Sequence, residues 1–198
     1  RQTEILVEEV LKELHDGMRV LDMCTGSGCI LLSLLHYSND CEGLGVDLSA
    51  EALEVAGRNV LKVLTPEKAE HAHFLQSDLF EKVEGKFEII VSNPPYIASA
   101  EVEKLMPEVR DHEPRMALDG TEDGLYFYRR IIEEAGKHLV SSGMLFFEIG
   151  YDQGQAVSEL MRTEGYCDVQ VVQDYAGLDR VVFGTYVTVQ PAPFAKSR

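Results

Sequence analysis

The chain has 198 residues, 45% hydrophobic and 26% charged, with 34 acidic against 18 basic side chains and a formal net charge of −16. That length suits one ordinary domain with a buried α/β core, and the composition is globular rather than disordered. No apolar run approaches the ~20 residues of a membrane helix, and no signal-peptide pattern opens the chain, so a cytoplasmic protein without a membrane partner is expected.

An acidic surface repels phosphate backbones and gains nothing from counterion release, which disfavours direct nucleic-acid binding. Cys24, Cys29, Cys41 and Cys167 include no Cys-x-x-Cys pair, so reduced thiols are expected and a zinc site is not. The six His include no His-Glu-x-x-His; His71 and His73 read as surface residues flanking a strand, and no metal is expected. The sequence starts at Arg1 rather than Met, so a preceding portion is expected.

From Thr3 to Leu14, apolar residues recur at helical spacing. "RVLDM" (Arg19 to Met23) reads as a strand, followed by the turn "CTGSGCI" and an apolar helix to about Tyr37. "GLGVDLS" (Gly43 to Ser49) is the next buried strand, and Ser49 begins a helix lined by Leu53, Ala56, Val60 and Leu64. Strands follow at Ala72 to Gln76 and Lys86 to Asn93. Ile97 to Gly124 reads as irregular and is long enough to suggest a functional role. Then come a helix (Leu125 to Leu139), the strand "GMLFFEIG", a helix (Gln153 to Glu164), and two successive strands, "DVQVVQDY" and "RVVFGTYVTV", with no room for a helix between them.

This alternation predicts an α/β, doubly wound, mainly parallel sheet of seven strands with a terminal antiparallel pair, in one domain over residues 1–190 followed by a flexible tail, 191–198. Such sheets bind ligands at the carboxyl ends of their strands.

Four strand ends carry polar groups suited to one cleft. "VLDMCTGSG" (Val20 to Gly28) brings backbone N–H groups and a helix N-terminus toward a ligand through Cys24, Thr25, Gly26, Ser27 and Gly28. It lacks the third glycine of Gly-x-Gly-x-x-Gly, and alone it is equally a plain strand-to-helix turn. Asp47, with Leu48 beside it, is placed to accept both hydroxyls of a ribose, though an Asp there could also simply cap a helix. Asp78 could accept from the exocyclic amine of adenine while Leu79 packs on the ring face. Together the three ends resemble the S-adenosylmethionine pocket of class I methyltransferases.

The fourth end is Asn93-Pro94-Pro95-Tyr96. Two prolines fix the backbone and donate no hydrogen bonds, so neighbouring carbonyls stay available. The Asn93 side-chain oxygen and the Pro94 carbonyl can accept both hydrogens of a planar NH2 group, holding its nitrogen toward a methyl donor, with Tyr96 stacked on the flat group. Positioning supplies the acceleration, and no dedicated base is needed if the proton leaves after the methyl arrives.

"RQTEILVEE", "VLDMCTGSGCI", "SDLF", "IIVSNPPYI", "VRDHEPRMALDGTEDGLYFYRRII" and "DYAGLDRVVFG" resemble the HemK/PrmC family, the protein-(glutamine-N5) methyltransferases of class I peptide chain release factors. The resemblance runs from Arg1 to about Gly184. It implies methyl transfer from S-adenosylmethionine, leaving S-adenosylhomocysteine, to the glutamine of a Gly-Gly-Gln motif on a release factor. It also implies that Cys24 to Gly28, Asp47, Leu48, Asp78, Leu79 and Asn93 hold the cofactor and Asn93 to Tyr96 the substrate amide. Cys24 stands where the family commonly has Gly, and Gln2 where it has Pro. Val109 to Gly124 is the expected reader of the Gly-Gly-Gln backbone. The family's N-terminal helical docking domain is absent from this stretch, so cofactor binding with poor methylation of protein is expected of it. Two alternatives remain at this point: a nucleic-acid amino-methyltransferase with the same Asn-Pro-Pro-Tyr chemistry, and a non-catalytic cofactor-binding scaffold, which would have no use for Asn93.

Overall fold

The computed structural model describes residues 3–95 and 123–188. Its centre is β1 (Arg19–Met23), buried at every position after the first. β1 pairs in parallel with β2 (Glu42–Asp47) on one side and β4 (Phe87–Ser92) on the other, Met23 lying opposite both Val46 and Ser92. β3 (Ala72–Gln76) continues the parallel sheet beyond β2, and β5 (Leu139–Glu148) continues it beyond β4. β7 (Asp179–Thr185) then inserts antiparallel between β5 and β6 (Cys167–Gln173), giving the order β3-β2-β1-β4-β5-β7-β6. The expected terminal antiparallel pair is therefore present, with the later strand on the inside.

Both faces are covered, because strands buried on two sides need an apolar partner on each. One face receives α1 (Thr3–Leu11) through Ile5, Leu6 and Val10, and α2 (Cys29–Tyr37) through Ile30, Leu31 and Leu34. The other receives α5 (Tyr126–Ala135) through Tyr128, Ile131 and Ile132, and α6 (Gly154–Thr163) through Val157 and Met161. Each such side chain contributes about 1.5–3 kcal/mol of burial. α3 (Ala50–Val63) follows β2 and buries Ala56. A short α4 (Pro66–Ala69), too brief for periodicity to reveal, is capped by Thr65, whose hydroxyl accepts the Lys68 amide at 3.3 Å.

The helix expected over Leu125 to Leu139 is shorter. It ends at Ala135 and gives way to a 3₁₀ turn, Gly136–His138, before β5 starts at Leu139. Where the helix tightens the residue must be small, since a Cβ on Gly136 would lie 2.8 Å from the Tyr186 ring. β5 then passes an irregularity at Ser142, in the left-handed region at φ 66°, whose amide donates to the Tyr186 carbonyl at 2.7 Å. α1 likewise stops at Leu11, although Leu14 remains buried.

The amino ends of the strands lie opposite the functional edge. There Glu42 accepts from His71, just before β3, at 2.5 Å and from His73 at 3.1 Å; His73 was expected to flank the strand but lies within it. Among the described residues no helix is long and apolar enough to cross a membrane. The expected tail, 191–198, lies outside the described residues, as do Tyr96 and all but Asp123 and Gly124 of the proposed recognition stretch.

Candidate active site

A cavity of about 540 Å³ opens at the carboxyl ends of β1, β2, β3 and β4. The turn after β1 forms its floor with Cys24, Thr25, Gly26 and Ser27. Three of its residues are left-handed, Cys24 at φ 61°, Gly26 at 56° and Gly28 at 79°, which curls the backbone tightly before α2. Glycine takes this region freely, whereas a side-chain-bearing residue such as Cys24 is strained in it.

Buried hydrogen bonds pin the turn. Thr25 N donates to the Val46 carbonyl at 2.9 Å, and the Thr25 hydroxyl donates to Asp22 Oδ2 at 2.7 Å. Room for Thr25 comes from the bare Gly45 on β2, where a Cβ would sit 2.9 Å from its hydroxyl oxygen. Asp22 is fully buried, takes a second bond from Leu31 N at 3.3 Å, and leaves Oδ1 without a partner among the described residues. Burial pushes its carboxyl up to about 7, against the opposing pull of the Thr25 hydrogen bond.

At the end of β2, Asp47 and Leu48 line the cavity, Leu48 about half exposed. Asp47 Oδ2 accepts from Gly26 N and Oδ1 from Ser49 N, both at 2.9 Å. Ser49 is itself the N-cap of α3, its hydroxyl accepting the Ala52 amide at 3.1 Å. Capping thus falls to Ser49, and the Asp47 carboxylate keeps acceptor capacity toward the cavity, since each ionised oxygen has two acceptor sites.

Asp78 and Leu79 follow β3 in the wall, Leu79 buried and left-handed at φ 49°. From the other side α5 brings Tyr126, Phe127 and Arg130. Arg130 Nη1 lies 3.2 Å from Asp78 Oδ1.

At the end of β4, Asn93 and Pro95 complete the wall. The preceding Ser92 is fixed by donation of its hydroxyl to the Met23 carbonyl at 2.6 Å. Asn93 Oδ1 is buried and has no hydrogen-bond partner among the described residues. An unpaired buried acceptor is costly, so this atom is open to a donor from beyond the described residues. On the neighbouring strand Glu148, 2% exposed, also has an oxygen unpaired among the described residues, and burial raises its carboxyl to about 7 despite Arg180 nearby.

Ten of the candidate residues thus line one cavity: Cys24 to Ser27, Asp47, Leu48, Asp78, Leu79, Asn93 and Pro95. Gly28 and Pro94 do not line it; Gly28 serves the packing of α2, where a Cβ would meet that of Ala56 at 3.2 Å. Tyr96 lies outside the described residues. The reading from sequence missed Tyr126, Phe127 and Arg130, because periodicity marks α5 as a helix without saying that its first turn reaches the strand ends.

The sheet order and a cavity across four consecutive strand ends define the class I methyltransferase fold. A methyltransferase from Pyrococcus furiosus superposes with a TM-score of 0.66 at 17% identity, over 92% of this chain and 83% of that one. The chain belongs to the family described as "Methyltransferase small domain", which matches residues 1–109. It is 44% identical over 186 residues to the release factor glutamine methyltransferase of Thermodesulfovibrio yellowstonii, covering 91% of this chain and 65% of that protein. It is 45% identical over 184 residues to the protein of the same name from Clostridium acetobutylicum, covering 91% and 64%. The chain therefore spans somewhat less than two thirds of these relatives' length. A protein-(glutamine-N5) methyltransferase (release factor-specific) from Alicyclobacillus acidocaldarius superposes with a TM-score of 0.55 at 28% identity, over 94% of this chain and 93% of that one.

Proposed function

We propose that this chain is the methyl-transferring part of a protein-(glutamine-N5) methyltransferase whose substrate is the glutamine of the Gly-Gly-Gln motif in class I peptide chain release factors, a cytoplasmic reaction. The observation that carries the reading is Asn93, in the wall of a cavity that also holds the turn after β1 and Asp47, with its buried Oδ1 unpartnered among the described residues. The names of the relatives support the choice of a glutamine amide over a nucleic-acid base. The net charge of −16 supports it too, because a nucleic-acid substrate calls for a basic surface.

The residues present fit S-adenosylmethionine. Acceptors at Asp47 and Asp78 suit ribose hydroxyls and an adenine amine, apolar Leu48 and Leu79 suit the ring faces, and the tight turn at Gly26 lets backbone approach closely. That cofactor would supply an electrophilic methyl on a sulfonium. Asn93 Oδ1 would accept one amide hydrogen and hold the nitrogen toward the methyl; the carbonyl of Pro94, which does not itself line the cavity, would have to turn toward it to accept the other. The rigid proline pair then keeps those acceptors from reorganising, and the expected partner for the flat face of the amide is Tyr96.

The test is transfer of label from S-adenosylmethionine by the full-length protein and its Asn93→Ala variant to a release factor, with DNA and RNA offered in parallel. Label on the release factor, reduced at least ~100-fold in the variant, is expected. Label on nucleic acid, or undiminished transfer by the variant, defeats the proposal.

A further inference from the structure

The wall of the cavity contains one cation among the described residues, Arg130, and it is committed to Asp78. The pair joins the end of β3 to α5, 52 residues later in the chain. Arg130 is well fixed: its Nη1 also lies 3.4 Å from the Tyr126 hydroxyl, its guanidinium carbon stands 5.7 Å from that ring's centre, and Nη2 is 3.9 Å from Glu134. The helix beneath is anchored by the buried Tyr128, whose hydroxyl donates to the Glu148 carbonyl at 2.8 Å, and its first turn by an ion pair between Arg129 and Asp123.

Asp78, by contrast, is nearly half exposed on the side chain, and its Oδ2 has no partner among the described residues. A short, exposed carboxylate with one free oxygen would sample several rotamers were Oδ1 not held. Next to it, Leu79 is buried and left-handed, so the backbone following Asp78 is also set.

We propose that Arg130 is a positioning residue for base selection: by holding Asp78 Oδ1 it presents Oδ2 as an acceptor, so that the pocket takes a 6-aminopurine and rejects a 6-oxopurine. The inference rests on the reading of the cavity as an adenosyl pocket. A 6-amino group donates to the fixed oxygen. A 6-oxo group sets acceptor against carboxylate, and the ring must shift from the adenine position before its N1–H can reach Oδ2. If Arg130 were only a surface ion partner, its loss would have little effect and none that depends on the base.

The experiment is calorimetric titration of the full-length protein with S-adenosylhomocysteine and S-inosylhomocysteine, comparing wild type, Arg130→Gln, Arg130→Lys and Asp78→Asn. Thermal unfolding of each without ligand controls for folding. Wild type is expected to prefer the adenosyl ligand by about tenfold or more, the size of one charge-assisted hydrogen bond. Arg130→Gln should lose most of that preference through weaker adenosyl binding, Asp78→Asn should lose it as well, and Arg130→Lys should recover part. Equal weakening toward both ligands in Arg130→Gln, or an unchanged ratio while Asp78→Asn loses it, overturns the role of Arg130. An unchanged ratio in Asp78→Asn removes Asp78 as the base reader and the inference with it. Failure of wild type to bind either ligand instead defeats the adenosyl reading of the cavity.

Discussion

Asp47 Oδ2 accepts the backbone N–H of Gly26 at 2.9 Å, so a single carboxylate ties the end of β2 to the turn that follows β1. With Oδ1 on Ser49 N, the same side chain braces two of the cavity's walls while facing its interior. Asp47→Asn turns one of these acceptors into a donor pointed at an N–H. Affinity for S-adenosylhomocysteine should fall at least ~10-fold, from the lost charge and the loosened turn. Calorimetry checks this, and unchanged affinity would remove Asp47 from the site.

Cys24 occupies a left-handed backbone position that glycine tolerates better. Relief of that strain, offset by glycine's greater freedom in the unfolded chain, predicts that Cys24→Gly raises stability by up to about 1 kcal/mol. Denaturant titration reads the change; a clear loss of stability would mean that thiol packing outweighs backbone strain.

Glu148 gives a pH dependence of definite sign. Its carboxyl, raised by burial from 4.5 to about 7, holds its proton more tightly in the folded chain than in the unfolded one. The associated stability is complete below pH 4.5 and is lost as pH rises through 7, amounting to about 3 kcal/mol by pH 8. Asp22, raised for the same reason, adds in the same direction. Glu148→Gln should therefore flatten the fall in stability between pH 5 and pH 8 measured by denaturant titration. A fall as steep as that of wild type would sink the burial account of Glu148.

The Tyr128 hydroxyl bonded to the Glu148 carbonyl secures α5 to the end of β5. Tyr128→Phe leaves that buried carbonyl with one donor fewer and should cost about 1 kcal/mol of stability. An undiminished denaturation midpoint would show that another donor replaces the hydroxyl.

The strand ends were legible in the sequence because each announces itself locally. An apolar run stops at Asp22, Asp47, Gln76 or Ser92, and a glycine, acid or proline follows. Parallel pairing then puts all four stops on one edge, which is why ten predicted residues meet in one cavity. What stayed hidden depends on distant contacts. Gly136 is bare because the Tyr186 ring lies against it, and Arg130 finds Asp78 only after the sheet has formed. Asp22 was visible as a residue but not as a fully buried brace, since nothing local shows that Thr25 and Leu31 fold back onto it.

The order β5-β7-β6 has a consequence for the chain as it leaves the ribosome. β6 emerges before β7 but has no partner in the sheet until β7 arrives, because it does not touch β5. Until Asp179–Thr185 are available, the free side of Leu139–Glu148 is an open ladder of backbone donors and acceptors flanked by buried residues such as Phe146 and Phe147. An open, apolar edge of that kind templates pairing between chains. A chain in which β5 has formed but Asp179–Thr185 has not yet docked is thus the species open to aggregation, and the docking of β7 is what seals it.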